Sequence, residues 1–334
     1  MAAQTVLTSK INYPSKQHNR LRPYFCMPNF WLKLKKPIYA LAPMAGVTDS
    51  AFRQICKQYG AEVVYSEMVS ATAIVYNSQK TLALMKFNKK ERPFVVQLFG
   101  AKPEHFARAA RIAAKEIKSD GIDINFGCPV KKIARQGAGA VLMNNVKLAR
   151  EIIEAIINNT DLPVSIKIRS RAGSTTALDF LKPLADLDIK AVMIHGRSVA
   201  EAQSGGVDWQ IIKQARQYVK GVLLANGGVK DKISADELLS KTGADGIGIG
   251  QGALGRPWIF SQLVARNSQP ITKKKIFQIV LKHAKLAEKL KGQPGIIEMR
   301  KHLCWYVSGL PNASSLRQKL IKVASVDEIE KILR

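Results

Sequence analysis

Gly221-Val222-Leu223-Leu224-Ala225-Asn226-Gly227-Gly228 and Gly246-Ile247-Gly248-Ile249-Gly250-Gln251-Gly252-Ala253 are built alike, each a short apolar run that ends in glycine. A run that is apolar throughout, rather than at alternate positions, reads as a strand buried on both faces, the habit of parallel sheets covered by helices. Glycines at the exit of such a strand let backbone N–H groups approach an anion, where a Cβ would stand in the way.

Runs of the same kind recur every 25 to 31 residues, with one longer interval: Ile38–Met44, Val63–Met68, Phe94–Phe99, Gly121–Phe126, Val164–Arg169 and Ala191–His195, then the two quoted above. Amphipathic stretches separate them. Asp49–Tyr59 opens on an acidic cap, Glu104–Lys118 follows Pro103, and Lys147–Asn158 sets Leu148, Ile152, Ala155 and Ile156 on one face. Eight strands alternating with helices predict an α/β fold, a (β/α)8 TIM barrel over residues 37–268. An open doubly wound sheet is the rival, but Ala42–Gly46 after the first strand is no GxGxxG turn. Past Ile271 helical periodicity takes over, which predicts an all-helical C-terminal domain over 269–334. Residues 1–36 read as a basic extension, disordered in part.

The chain has 334 residues, 46% hydrophobic and 23% charged, enough for one large core and a small companion. Its apolar runs are too short for a membrane span, so a soluble protein is expected. A cytoplasmic monomer is the expectation, though the sequence leaves the oligomeric state open. Lys and Arg number 52 against 25 acids, a net charge of +27. An excess of that size favours a polyanionic partner, because each neutralised phosphate releases counterions. The first 48 residues hold no Asp or Glu. They read as a basic arm, or as a sequence translated from Met27, in preference to an organellar leader. Cys26, Cys56, Cys128 and Cys304 are scattered without zinc or CxxC spacing, so no metal is expected and a reducing compartment is.

The chemistry should lie where strands end, because loops there build the active site of a barrel. The glycines at the last two strand ends are placed for a phosphate-bearing ligand. Gln97 and Lys167 interrupt apolar runs, and a lone buried Lys costs several kcal/mol unless it is paired, which makes Lys167 a ligand or catalytic candidate. His195 ends its strand beside Gly196 and Arg197. A flavin suits this set: Gln97 at the ring edge, Lys167 against negative charge, His195 at the phosphate. The longest interval holds Asn125-Phe126-Gly127-Cys128-Pro129 and then a basic, Gly-rich loop, read as a lid. Cys128 in that loop reads as a reactive thiol. With no His beside it, proton donation is the better role.

Ala42-Pro43-Met44-Ala45-Gly46-Val47-Thr48-Asp49, Asn125-Phe126-Gly127-Cys128-Pro129, Lys167-Ile168-Arg169, His195-Gly196-Arg197, Ala225-Asn226-Gly227-Gly228 and Gly255-Arg256-Pro257-Trp258 resemble the tRNA-dihydrouridine synthase family, and most its bacterial B-type branch. The likeness runs from about Asn29 to Leu320 and includes Arg300-Lys301-His302 and Trp305-Tyr306. It implies FMN as cofactor, NADPH or NADH as reductant, and tRNA as the substrate whose uridine C5–C6 bond is reduced. Pro43, Met44 and Ala45 would line the flavin ring, with Gln97 and Lys167 in contact with it. His195, Asn226, Gly227, Gly228, Gly250 and Gln251 would hold the ribityl chain and phosphate, and Cys128 matches the proton donor. Asn125, Arg169 and Arg197 fall to the substrate, as do Lys131, Lys132 and Arg135 of the lid and Arg300 and Lys301 of the tail. Many relatives carry Arg where this chain has Gln251, which leaves its share of phosphate binding in doubt. Two other readings remain at this stage: a small-molecule FMN dehydrogenase of the dihydroorotate type, and an RNA-binding barrel without catalysis.

Overall fold

The computed structural model describes residues 29–265 and 270–334. Most of the extension expected over 1–36, and the boundary expected at 268–269, lie outside the described residues. The end of that extension is folded: Phe30–Lys33 form one 3-10 turn, and Trp31 is buried.

The strands are β1 (Ile38–Leu41), β2 (Val63–Tyr65), β3 (Phe94–Phe99), β4 (Gly121–Phe126), β5 (Val164–Arg169), β6 (Ala191–His195), β7 (Val222–Asn226) and β8 (Gly246–Ile249). Each pairs in parallel with the next, and β8 returns to β1 through Ile38↔Gly246 and Leu41↔Ile249, so the barrel closes. The expected TIM barrel is the fold observed.

Strand side chains alternate between faces, so residues two apart share the barrel interior. Trp31 plugs the lower end, among Ile38, Ala40, Val63, Tyr65, Val95, Met193 and Leu224. Continuing by two along those same faces reaches Gln97 on β3, His195 on β6 and Asn226 on β7. The interior thus turns from apolar to polar toward the C-terminal ends of its strands, and this turn places the site. Outward-facing residues such as Val96, Ile124, Ile166 and Ile194 bury against the surrounding helices.

Two local features differ from the sequence reading. The second strand does not run unbroken to Met68. It stops at Tyr65 and pairing with β3 resumes at Val69–Ser70, because Ser66 turns in to accept a hydrogen bond from Gln97 N–H at 2.9 Å. After β5 the chain makes a small hairpin, Arg171–Ala172 against Thr175–Thr176, two residues a side and too short to show alternation.

The C-terminal helices are Lys273–Lys291, Gln293–Tyr306, Ala313–Leu320 and Val326–Leu333. They meet the barrel through the Ser50–Gln58 helix, which is capped by the Asp49 carboxylate accepting from Phe52 N–H at 2.9 Å. That helix is buried on two sides, Phe52 and Cys56 toward the barrel core and Ala51 and Ile55 toward the tail. Gly255 makes a second joint. A Cβ there would stand 2.3 Å from the Trp305 carbonyl carbon, so only glycine lets the two backbones touch.

Candidate active site

A cavity of about 560 Å³ opens at the C-terminal ends of the strands. It gathers residues far apart in sequence, because each strand delivers its last inward side chain to one mouth. Pro43, Met44 and Ala45 from the turn after β1 form one wall. Gln97, Asn125, Lys167, His195 and Asn226 rise from the barrel interior, and Cys128 stands at the rim. Arg169, Arg197, Gly227, Gly228, Gly250 and Gln251 complete the set foreseen from sequence. Lys131, Lys132 and Arg135 do not line the cavity. They stand exposed on and beside a short helix, Lys131–Ala134, in the loop after Cys128.

Among the described residues the cavity lining includes Lys167, Arg169, Arg197, Lys230 and Arg256 and no carboxylate. Lys167 donates to Asn226 Oδ1 at 3.2 Å, its one hydrogen bond among the described residues. Burial, helped by the neighbouring Arg169 cation, lowers its pKa to about 8, so at neutral pH it is a cation with N–H groups to spare. Asn226 is itself fixed by donating Nδ2 to the Gly248 carbonyl at 2.6 Å.

His195 makes no side-chain hydrogen bond among the described residues. Burial and the cations Lys167, Arg169 and Arg197 push its pKa down to about 2. It is a neutral imidazole, able to offer an N–H but no charge. Beside it Gly227 sits at φ +119°, in the region that favours glycine, and a Cβ there would come within 2.9 Å of the His195 ring. The turn is therefore a bare backbone cradle next to an unused donor.

Asn125 organises the cysteine. Its Oδ1 accepts from the N–H groups of Gly127 at 3.1 Å and Cys128 at 2.9 Å. The same loop is braced below by Arg169, whose Nε donates to the Gly127 carbonyl at 3.1 Å while Nη1 donates to the carbonyls of Ser198 and Ala202. Arg169 is 4% exposed, and these backbone contacts occupy most of its donors. Arg197 likewise donates Nε to the Gly205 carbonyl.

Two residues of the tail behave differently from each other. Lys301 lines a second, smaller hollow between barrel and tail, with Gly46, Asp49 and Glu67. Arg300 does not face the cavity: its guanidinium donates to the carbonyls of Val323 at 2.8 Å and Lys322 at 3.1 Å, tying the last helices together. A basic residue is visible in the sequence; the carbonyls that occupy it are not.

Sequence reasoning also passed over residues that the fold brings in. Lys230 and Arg256 line the cavity and supply beside the glycine turns the positive charge that Gln251 lacks. Arg256 was inside a quoted motif, so its signal was present. Asp123, wholly buried beneath the mouth, interrupts the apolar run of β4 as Gln97 interrupts β3. Burial raises it to about 6, against hydrogen bonds from Gln97 and Ser165 and the Lys167 charge.

A closed parallel barrel whose mouth is lined by cations, free donors, glycine turns and one thiol defines a cofactor-dependent barrel enzyme. The family model described as dihydrouridine synthase matches residues 40–334, and the chain belongs to that family. It is 36% identical over 321 residues to a probable tRNA-dihydrouridine synthase of Mycobacterium tuberculosis, covering 90% of this chain and 82% of that one. It is also 36% identical over 289 residues to tRNA-dihydrouridine synthase B of Pseudomonas syringae pv. tomato, covering 83% and 84%. Among solved structures, histamine dehydrogenase from Rhizobium sp. 4-9 superposes with a TM-score of 0.50 at 12% identity, over 75% of this chain and 48% of that one, a likeness of fold alone.

Proposed function

We propose that the chain is an FMN-dependent tRNA-dihydrouridine synthase, with NADPH or NADH as reductant, acting as a cytoplasmic monomer. The observation that carries the reading is that one cavity is lined by the Cys128 thiol, a bare glycine cradle and unspent donors.

The residues fit FMN. The N–H groups of the Gly227-Gly228 turn and Gly250, the neutral N–H of His195, and the nearby Lys230 and Arg256 would hold its phosphate. Pro43, Met44 and Ala45 would offer an apolar wall to a flat ring, Lys167 would offer donors to its polar edge, and Gln97 would present the upturned edge of its amide, whose oxygen accepts from Asn125. Held there, FMN would supply the hydride chemistry needed at C6 of a uracil. Cys128 donates the proton that completes the bond at C5, and the Asn125 hydrogen bonds to the loop hold that thiol in place. Lys131, Lys132 and Arg135 stand where a lid over the base would meet phosphates, and Lys301 extends the basic surface toward the tail. Leaving the stack costs the target base a few kcal/mol, which backbone contacts of this kind offset.

The net charge of +27 separates this reading from a small-molecule flavin dehydrogenase, since a free pyrimidine needs no such surface. Purified FMN-loaded protein is offered NADPH or NADH with unmodified tRNA, free uracil or orotate, and the products are mapped by mass spectrometry. Dihydrouridine in tRNA alone is expected. Turnover of a free pyrimidine at a comparable rate would overturn the assignment, and a protein that will not take up FMN would end it.

A further inference from the structure

Asp123 lies inside the barrel just below the cavity, on the same face of β4 as Asn125, and is 0% exposed. Both of its oxygens are engaged. Ser165 Oγ donates to Oδ1 at 2.7 Å, and Gln97 Nε2 donates to Oδ2 at 2.7 Å. An ionised carboxylate only accepts, so it dictates that the Gln97 amide turns its nitrogen down and its oxygen up. Gln97 Oε1 then accepts from Asn125 Nδ2 at 2.9 Å. That turns Asn125 Oδ1 toward the loop, where the N–H groups of Gly127 and Cys128 donate to it.

Each of the two amides has two orientations that nearly superpose in shape. Joined in series, with an obligate acceptor at one end and two obligate donors at the other, they have one setting that satisfies every partner. Reversing either amide would set N–H against N–H at the loop, or oxygen against oxygen at Asp123. A carboxylate that merely tied β3 to β5 would need Gln97 and Ser165 but would have no reason to stand three hydrogen bonds, through two amides, from the thiol's own backbone.

We propose that Asp123 is a positioning residue which, through Gln97 and Asn125, sets where the Cys128 thiol stands over the cavity and which edge Gln97 turns to the flavin. This deepens the proposed function and rests on it for its catalytic meaning, while the relay itself is measurable without substrate.

Asp123→Asn keeps the volume but adds a donor, so the Gln97 amide is no longer held to one orientation. In FMN-loaded protein, amide exchange at Gly127 and Cys128 is expected to rise about tenfold, the loss of one buried hydrogen bond. Alkylation of Cys128 by iodoacetamide should change by a similar factor and the flavin absorption band should move. Cys304, half-buried in the tail, should be alkylated as in the wild type, which reports an intact fold. Gln97→Leu cuts the same relay one step later, so it should loosen the loop alike, and the double variant should be no worse than either single. Wild-type exchange and alkylation of the loop in either single variant, or additive effects in the double, would overturn the proposal. A loop that responds as described in a protein that never forms dihydrouridine would sink the functional reading and leave the relay standing.

Discussion

Lys167→Met should make the flavin-free protein more stable and its flavin binding weaker, a pairing of opposite signs. The drop in the Lys167 pKa from 10.5 to about 8 corresponds to about 3 kcal/mol of cost to holding its ammonium in the empty site. Methionine fills nearly the same volume without charge. It gives up the hydrogen bond to Asn226 Oδ1, worth about 1 kcal/mol. The net gain of about 2 kcal/mol is equivalent to a Tm roughly 3 °C higher for a chain of this size. FMN loses a charged hydrogen bond of about 1.5–3 kcal/mol, so its Kd should rise about 10- to 150-fold. The pH dependence has a definite sign. Between pH 8 and 10.5 the unfolded chain binds more protons at this lysine than the folded one does. Wild-type stability relative to the variant therefore rises across that window and the gap closes near its upper end. Thermal unfolding of the FMN-free proteins at neutral and alkaline pH, with fluorescence titration of FMN, measures both effects. A variant that is less stable and binds FMN as tightly as the wild type would refute the reasoning and make Lys167 a structural cation.

Cys128→Ala should bind FMN with an unchanged spectrum and hold tRNA, yet form dihydrouridine at least about 100-fold more slowly in single-turnover assays, since it loses a positioned proton donor. Arg53→Met should cost about 3–5 kcal/mol in denaturant unfolding, because Glu91, bonded to Arg53 at 2.6 Å and 0% exposed, is left charged without its partner. The double change Arg53→Met with Glu91→Leu should recover most of that loss. Replacing Lys131, Lys132 and Arg135 together by Gln should flatten the salt dependence of tRNA binding, each lost phosphate contact lowering the slope of log K against log salt by about 0.7, as titrations at several salt concentrations would show.

The barrel could be read from the sequence because burial on both faces writes strands as unbroken apolar runs, and those of Phe94–Phe99 and Val164–Arg169 matched the observed strands residue for residue. The polar interruptions Gln97 and Lys167 were legible for the same reason, as departures from a strong background. Met44 was not a strand residue because Pro43 and the Met44–Thr48 turn end pairing at Leu41, where loop hydrogen bonds take over. The break at Ser66 was hidden because its cause, a hydrogen bond to Gln97, comes from another strand. Asp123 went unused for a similar reason. Its meaning lies in what its neighbours donate to it, and no spacing records that. Arg300 shows the converse, a residue whose charge suggested an outer partner and whose geometry supplies two carbonyls of the chain itself.

The contact at Gly255 ties two parts of the chain together. Backbone meets backbone at Trp305, and the Ser50–Gln58 helix is buried in both cores, so the tail is held to the barrel at two joints. On the proposed function, the span from the tail's lysines to the thiol would serve as a calliper: a transcript gripped at one end would offer whichever nucleotide falls at that span, its address measured in ångströms along the RNA fold rather than spelled in its letters.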